Sequence, residues 1–263
     1  MPQDTLYIIA APGEMPRLSS PNVFPAWLSY RLSPDMELLR LDRSHPVQGG
    51  VMVLTGRPEE PHGNPDRLCA ALLRECAAHQ FQGLLLDFDH PVPVLDQLAR
   101  NLARLLPRLG VTLFLPEWLA GHIRTGRVLI PSALSGGSLE DRLQEAVEKY
   151  GAERVVLAVE RCSEDFTLPS PDGCGVPLSQ SELNERFSRY RPHPHFSRPL
   201  CARYFTYCVG DSVHLVLFDD ADTLAEKMAC ARRVGVHRFL LPWQDISAAP
   251  ERFLPSPQTT EIF

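Results

Sequence analysis

Short aliphatic runs alternate with amphipathic segments along most of this 263-residue chain. Eight runs have the length and apolar character of buried strands, and the intervening segments carry apolar residues at the three-to-four spacing of helices. The predicted strands are Thr5–Ala10, Glu37–Leu41, Val51–Leu54, Gly83–Phe88, Val111–Leu115, Val128–Ile130, Arg154–Val159 and His237–Leu241. Because strands that alternate with helices form parallel sheets, and eight such units close a barrel, we predict an irregular (β/α)₈ TIM-like barrel.

The predicted helices are well defined in four places, and one long segment breaks the alternation. The helices are Pro65–His79, Val94–Leu109, Ser138–Tyr150 and Asp222–Val234. A proline-rich stretch, Pro169–Pro199, follows the seventh predicted strand, and two further strands, Ala202–Tyr207 and His214–Phe218, precede the last helix. We therefore predict a single domain over residues 1–263, with an insertion at approximately residues 166–218.

Composition excludes several classes of partner. The net charge of −6 provides no basic surface for nucleic acid or for an anionic membrane, and we expect neither partner. The longest apolar run near the amino terminus, Leu6–Ala11, is too short for a signal peptide or a membrane span. Seven cysteines without a Cys-x-x-Cys pair indicate free thiols in a reducing compartment. These features predict a cytoplasmic protein.

The sequence also lacks the motifs of common cofactor and metal sites. It contains no dinucleotide fingerprint and no phosphate loop. The pair His193 and His195 has the spacing of some metal ligands, but it lies among prolines rather than at a strand end. We therefore expect no cofactor and no bound metal, and the sequence leaves the oligomeric state open.

Polar residues follow many of the predicted strands, at the end of the barrel where TIM-barrel enzymes carry their chemistry. Asp87 and Asp89 are two residues apart at the end of the fourth strand, so both project from one face. The other strand-end residues are Asp42, Arg57, Glu117, Trp118, Glu160, Arg161, Trp243, Gln244 and Asp245. Indole rings stack on sugar faces and carboxylates accept bonds from hydroxyls, so this set predicts a carbohydrate ligand. The predicted binding residues are Glu117, Trp118, Trp243, Gln244 and Asp42.

The fourth strand resembles the signature of the family 18 glycoside hydrolases. That signature reads Asp-Gly-aliphatic-Asp/Asn-aliphatic-Asp-aromatic-Glu, and this chain has Gln82-Gly83-Leu84-Leu85-Leu86-Asp87-Phe88-Asp89 in the same register. Residues 152–167 and 216–227 also fit the family's layout, so the resemblance covers residues 80–246. It is strongest to the compact bacterial branch that acts on N-acetylglucosamine polymers such as chitin or spore peptidoglycan.

The resemblance assigns roles to the two aspartates and predicts a degenerate site. In the family a glutamic acid protonates the glycosidic oxygen, and the aspartate two residues earlier orients the substrate's acetamido group. Asp87 matches the orienting aspartate, whereas the acid position holds Asp89, which is one methylene shorter. Gln82 and Leu85 replace the other acidic positions, and 131–134 replaces an expected Tyr-Asp pair. The resemblance therefore implies a weakly active or non-catalytic relative that binds amino-sugar oligosaccharides or peptidoglycan fragments.

Two alternatives remain open from the sequence. The first is an active glycosidase that uses Asp89 as the acid and Glu160 as the nucleophile, which requires carboxyl groups about 5–5.5 Å apart. The second is a structural or interaction protein on a barrel scaffold, with the proline-rich segment 169–199 as its contact surface. Because spore formers make cortex and coat proteins without export signals, a spore-associated location would reconcile a cytoplasmic chain with a peptidoglycan ligand.

Overall fold

The structure is a computed structural model that describes residues 3–56, 63–170 and 173–255. The strands of these residues are β1 (Thr5–Ala10), β2 (Val23–Leu32), β3 (Leu38–Arg40), β4 (Val51–Thr55), β5 (Gly83–Asp87), β6 (Thr112–Pro116), β7 (Arg127–Pro131), β8 (Val155–Ala158), β9 (Ser163–Leu168), β10 (Val176–Pro177), β11 (His195–Ser197), β12 (Ala202–Val209), β13 (Ser212–Phe218) and β14 (Arg238–Pro242). The helices are α1 (Pro65–Ala78), α2 (Pro93–Leu105), α3 (Glu117–Ala120), α4 (Leu139–Tyr150), α5 (Gln180–Tyr190), α6 (Ala221–Arg233) and α7 (Trp243–Ile246). None of the helices in these ranges is both long and apolar enough to cross a lipid bilayer.

Eight parallel strands close a barrel. They pair in the order β1, β2, β4, β5, β6, β7, β8 and β14, and β14 returns to β1. The helices α1, α2, α4 and α6 bury their apolar faces against the outside of the strands. The predicted (β/α)₈ barrel is confirmed, and helices α1, α4 and α6 lie within a residue of their predicted bounds.

The strands alternate between the barrel interior and the outer layer, and this alternation sets the direction of the strand-end side chains. In β5, Leu84 and Leu86 pack against the outer helices, whereas Leu85 packs inside the barrel. Asp87 has the same parity as Leu85 and therefore continues the inward face. In β8, Val156 packs inside the barrel, so Glu160, four residues later, lies toward the same axis.

The second barrel strand is Val23–Leu32, and our assignment of Glu37–Leu41 to that position is wrong. Residues Leu38–Arg40 form β3, which pairs antiparallel to β2 as an additional strand. The pattern of β2 is obscured because Pro25 is unusual in a central strand and because a bulge at Ser29 breaks the alternation. The bulge allows Leu28 to pack inside the barrel while Tyr30 packs outside.

This correction also moves Asp42. Since β3 runs against the barrel strands, the residues that follow it lead toward the amino-terminal end of the barrel. There Asp42 accepts hydrogen bonds from the Ser44 amide at 2.8 Å and the Ser44 hydroxyl at 2.6 Å, and it contacts the Nδ1 of His45 at 2.8 Å. Asp42 is thus a turn residue and does not lie at the carboxyl-end mouth of the barrel.

A second, antiparallel sheet lies between β8 and α6 in the chain. Its strand order is β10, β9, β13, β12, β11, and β12 and β13 correspond to the two extra strands predicted from the sequence. Helix α5 covers one face, where it packs Leu183 and Phe187 against the apolar cluster of the sheet. The sheet begins at Ser163, three residues before the predicted insertion. Residues 171 and 172 of the proline-rich segment, and the strand-end residue Arg57, lie outside the described residues.

Candidate active site

The carboxyl-end mouth of the barrel holds a group of carboxylates that come from three separate strands. Asp87 ends β5 and Asp89 follows it, while Glu160 lies two residues after β8. Asp245 lies in α7, directly after β14. All four contribute to one electrostatic environment, because the charges of Asp87, Asp89 and Asp245 each act on Glu160. The structure therefore brings together Asp87, Asp89 and Glu160, the residues predicted to carry catalysis.

Within this group, the carboxyl of Glu160 has the pKa that is raised most clearly. Loss of hydration and, to a lesser extent, the negative charges of Asp87, Asp245 and Asp89 together raise the pKa of its carboxyl to about 7, against the opposing charge of Lys227. The side chain reaches solvent at the mouth, yet the surrounding strand ends and loops displace much of its hydration shell. At neutral pH Glu160 is therefore able to hold a proton.

Asp87 and Asp245 show the same tendency. Loss of hydration raises the pKa of Asp87, and the charge of Asp89 adds to the rise. Loss of hydration likewise raises the pKa of Asp245, although the nearby charge of Arg161 opposes it. Carboxyl groups that share a mouth cannot all ionise without mutual repulsion, so the site favours a partly protonated state.

The backbone at Glu160 is held by two polar side chains from other elements. The Glu160 amide donates to the Oγ of Ser132 at 3.0 Å, and Ser132 is fully buried just after β7. The Glu160 carbonyl accepts from the Nζ of Lys227 at 3.3 Å. Because its N–H and C=O groups are both hydrogen-bonded, the backbone of Glu160 is fixed in position at the mouth.

Lys227 and Asp219 form a buried ion pair beneath this position. The Nζ of Lys227 donates to the Oδ2 of Asp219 at 2.5 Å, and both side chains are almost completely buried. Asp219 also accepts from the Cys162 amide and the Thr223 hydroxyl, each at 2.8 Å. Asp219 therefore has a bonding partner for each oxygen, as a buried carboxylate requires.

The sequence interpretation missed the role of Lys227. Lys227 lies within α6 and follows no strand, so a search of strand ends does not select it. The available signal is its position on the apolar face of α6, between Leu224 and Met228, both of which are buried. A lysine is almost never fully buried unless it is paired, so a lysine on such a face predicts an acidic partner.

Arg161 connects the mouth to the second sheet. Its Nη2 donates to the Asp245 carbonyl at 3.0 Å, and its Nη1 donates to the Oε1 of Gln180 at 3.3 Å. Its Nε lies 4.0 Å from the Oδ1 of Asp245. Since Gln180 begins α5, the guanidinium ties the insertion to the carboxyl end of β14.

Two of the predicted sugar-binding residues lie in the outer layer. Glu117 forms an ion pair with Arg142 and accepts from the hydroxyl of Tyr150 at 3.2 Å, and both partners belong to α4. Trp118 packs against the outer apolar cluster, and its Nε1 donates to the Phe88 carbonyl at 3.1 Å. Glu117 therefore contacts α4, and Trp118 contacts the backbone of the residue between Asp87 and Asp89.

The remaining predicted residues follow β14. Trp243 is partly buried and packs against the apolar cluster between the barrel and the outer helices. Gln244 is exposed and directly precedes Asp245. Gln244 is thus the exposed chain neighbour of Asp245, whereas the indole of Trp243 packs against the outer apolar cluster.

The interior of the barrel explains the altered motif. Where the resemblance expects a second acidic side chain, Leu85 packs inside the barrel with Val53 and Phe114. Gln82 precedes β5 and is exposed at the opposite end of the barrel. Asp87 therefore stands above apolar packing instead of a ladder of hydrogen-bonded carboxylates.

Solved structures of similar fold identify the architecture. Chitinase from Chromobacterium violaceum ATCC 12472 has a TM-score of 0.62 at 16% identity, covering 90% of this chain and 93% of that one. The GH18 chitinase from Cycas revoluta in complex with (GlcNAc)3 has a TM-score of 0.60 at 16% identity, covering 93% and 96%. The spore cortex-lytic enzyme SleL from Bacillus megaterium QM B1551 has a TM-score of 0.60 at 14% identity, covering 92% and 71%.

These comparisons concern the fold. No family model matches the chain, and no curated protein matches its sequence. The fold is nonetheless shared with family 18 chitinases and with spore cortex-lytic enzymes, as the resemblance of the fourth strand predicted. Within the described ranges, no group of three or more His, Cys, Asp or Glu side chains is arranged to hold a metal ion.

Proposed function

We propose that this chain binds glycans containing N-acetylglucosamine at the carboxyl-end mouth of its barrel and hydrolyses them weakly or not at all. The observation that carries the proposal is the coupled group of Asp87, Asp89, Glu160 and Asp245 at that mouth. This fold is shared with a chitinase solved in complex with (GlcNAc)3 and with a spore cortex-lytic enzyme. Carboxyl groups at a solvent-accessible mouth supply the acceptors and donors that sugar hydroxyls and acetamido groups require.

Weak hydrolysis follows from the residues that support the acid position. Asp89 carries its carboxyl one methylene closer to the backbone than a glutamate would, and a displacement of about 1 Å can cost roughly a hundredfold in rate. Leu85 supplies no hydrogen bond to Asp87 from inside the barrel. A site with these two changes retains groups that bind sugar but loses the alignment that protonates the leaving oxygen.

The raised pKa of Glu160 favours a second candidate function, that of an active glycosidase. An acid with a pKa of about 7 is suited to donate a proton near neutral pH. The sequence alternative has Asp89 as the acid and Glu160 as the nucleophile. The raised pKa of Glu160 favours the opposite assignment, in which Glu160 is the acid and Asp89 is the second carboxylate. In such a mechanism Glu160 would protonate the glycosidic oxygen while Asp89 acts on the anomeric carbon, either directly or through water.

The polymer class proposed is chitin or the peptidoglycan of bacterial spores. Both contain N-acetylglucosamine, and the fold is shared by a chitinase and a spore cortex-lytic enzyme. A spore-associated location is part of this proposal. If no glycan binds, the proposed ligand is instead a partner protein that contacts the second sheet.

Isothermal titration calorimetry with chitotriose and with muropeptides tests the proposal. We expect saturable binding to the wild-type chain and a loss of at least tenfold in affinity for Asp87→Asn. The matched control is Glu148→Gln, which changes an exposed acid on α4 and should leave the affinity unchanged. Absence of binding to every glycan at millimolar concentration would reject the proposal and favour the interaction class.

A further inference from the structure

The amino-terminal end of the barrel, opposite the carboxylates, contains a cavity of about 230 Å³. Its walls come from residues at or near the starts of six barrel strands and from one loop glycine, and they include Tyr7, Phe24, Gln82, Thr112, Phe114 and Arg127. The cavity therefore lies on the barrel axis but is separated from the mouth by the apolar interior. It takes no part in the function proposed above.

Arg127 is held in this cavity by aromatic rings. Its guanidinium lies 5.8 Å from the ring centroid of Tyr7 and 5.6 Å from that of Phe114, and it donates to the Tyr7 hydroxyl. The two rings are themselves packed edge to face at 5.0 Å. Such contacts fix the position of the guanidinium without neutralising its charge.

Arg238 enters the same end of the barrel from the start of β14. It has the same parity as Leu240, which packs inside the barrel, so its side chain is directed inward. Its Nε is buried and has no hydrogen-bond partner. Burial lowers the pKa of Arg127, and the charge of Arg238 lowers it further, so the two guanidinium groups lie close enough to repel each other.

This pair of cations is not balanced by acid. Among the described residues, no carboxylate forms an ion pair with Arg127 or contributes to its electrostatic environment. Asp4, the acidic residue just before β1, is occupied on the outer side by His237 at 3.0 Å and by Arg232 at 2.8 Å. Both side chains are only partly buried, but two cations that repel each other with no acid between them make this end of the barrel positively charged, so it attracts an anion.

We propose that the amino-terminal cavity of the barrel binds a small tetrahedral oxyanion of the phosphate class on Arg127, with Arg238 beside it as a second cation. Guanidinium groups match the oxygen pairs of phosphate in bidentate geometry, and the guanidinium group of Arg127 belongs to a residue that lines the cavity. Thr112 and Gln82 are polar residues of the cavity wall. The ligand is either free phosphate or the phosphate group of a small organic molecule whose apolar part contacts Phe24.

Thermal unfolding with and without phosphate tests this site. Inorganic phosphate at millimolar concentration should raise the Tm of the wild-type chain saturably, whereas sodium chloride at equal ionic strength should not. Arg127→Met and Arg238→Met should each lose this increase. Arg232→Met, which removes an arginine paired with Asp4 at the same end of the barrel, should keep it.

Arg238→Met is the variant that should fold at least as well as the wild type, so a loss of phosphate binding in it cannot be attributed to misfolding. Because the Nε of Arg238 has no partner in the protein, the substitution removes no hydrogen bond there and relieves repulsion on Arg127. Its Tm without phosphate should equal or exceed that of the wild type. An equal Tm increase in all four proteins, or no increase in the wild type, would overturn the proposal.

Calorimetry with inorganic phosphate and with phenyl phosphate separates the two sources. Equal affinities would identify the free ion as the ligand, whereas at least tenfold tighter binding of phenyl phosphate would identify a phosphorylated small molecule. In both cases Arg238→Met should abolish the binding heat. Addition of chitotriose should leave these affinities unchanged, because the glycan site lies at the other end of the barrel. Absence of binding heat for both probes would reject the site.

Discussion

The Nζ of Lys227 donates to the backbone carbonyl of Glu160 at 3.3 Å while it forms a 2.5 Å ion pair with Asp219. One buried ammonium therefore joins the interior face of α6 to the strand end that carries the most perturbed acid of the mouth. Its charge also lowers the pKa of Glu160, against the larger effect of lost hydration. Lys227 thus contributes both to the stability of the barrel and to the protonation of Glu160.

Replacement of Lys227 should be strongly destabilising. Lys227→Met leaves the buried Asp219 without its cation, and breaking a buried pair by removing one partner typically costs about 3–5 kcal/mol. Urea unfolding followed by circular dichroism measures the difference. The control is Lys149→Met, a lysine with 60% exposure in a surface pair, whose substitution should shift the transition far less.

The double variant Lys227→Met with Asp219→Leu distinguishes an unpaired charge from lost packing. Because both charges are then removed, most of the stability should return. If the double variant is as unstable as the sum of the two single variants, the ion pair does not account for the loss.

The pH dependence of stability should report Glu160. Its pKa of about 7 in the folded chain exceeds the ordinary value of 4.5, so the folded state binds this proton more tightly than the unfolded state. The contribution to stability is therefore complete below about pH 4.5 and is lost as the pH rises to about 7. Thermal unfolding from pH 4.5 to 8 should show this decline.

Glu160→Gln removes the titrating group and should flatten that decline. Near pH 8 the variant should be more stable than the wild type, because it no longer places a negative charge beside Asp87 and Asp245. Glu148→Gln, which alters an exposed acid on α4, should retain the wild-type profile. Identical profiles for the wild type and Glu160→Gln would show that Glu160 titrates normally.

The barrel could be predicted from the sequence because buried parallel strands form continuous aliphatic runs. Runs such as Gly83–Phe88 stand out between amphipathic helices, whereas β2 does not. Pro25 and the bulge at Ser29 interrupt its pattern, and the bulge exists only through pairing with β4. A register change of this kind is a tertiary feature, and no local pattern in the sequence encodes it.

The candidate site could be predicted only where strand parity applies. Asp87 ends β5, and Asp89 and Glu160 each lie two residues after the end of a strand, so their meeting at one mouth follows from the fold. The position of Glu117 depends on Arg142 across a helix interface, and that of Trp118 depends on the Phe88 carbonyl. Such contacts link elements distant in sequence, and a strand-end rule cannot anticipate them.

Hydrolysis of fluorogenic chitobiose and chitotriose substrates should be absent or very slow in the wild type. If Asp89 occupies the acid position, Asp89→Glu restores the missing methylene and should raise kcat/KM, by up to about a hundredfold. Asp89→Asn, measured in parallel, should give no such increase. A robust wild-type rate that collapses in Asp89→Asn would contradict the degenerate site.

Activity that depends on Glu160 would support the second candidate function instead. In that case Glu160→Gln should abolish turnover, and the wild-type rate should fall as the pH rises through about 7, since the protonated acid is required. Glu148→Gln should leave the rate unchanged. A pH profile that is flat across this range would exclude Glu160 as the proton donor.

Two adjacent glycines ahead of β4 provide a matched test of backbone packing beside the amino-terminal cavity. Gly49 and Gly50 have left-handed φ values of 65° and 67°, so alanine at either position carries a similar conformational cost of about 1–2 kcal/mol. A Cβ on Gly49 would meet nothing within 4 Å, whereas one on Gly50 would lie 2.2 Å from the Pro25 carbonyl oxygen. Gly50→Ala must therefore move β2 or β4 and should be clearly less stable than Gly49→Ala in urea unfolding. Equal stabilities would show that β2 and β4 do not approach this closely at Pro25.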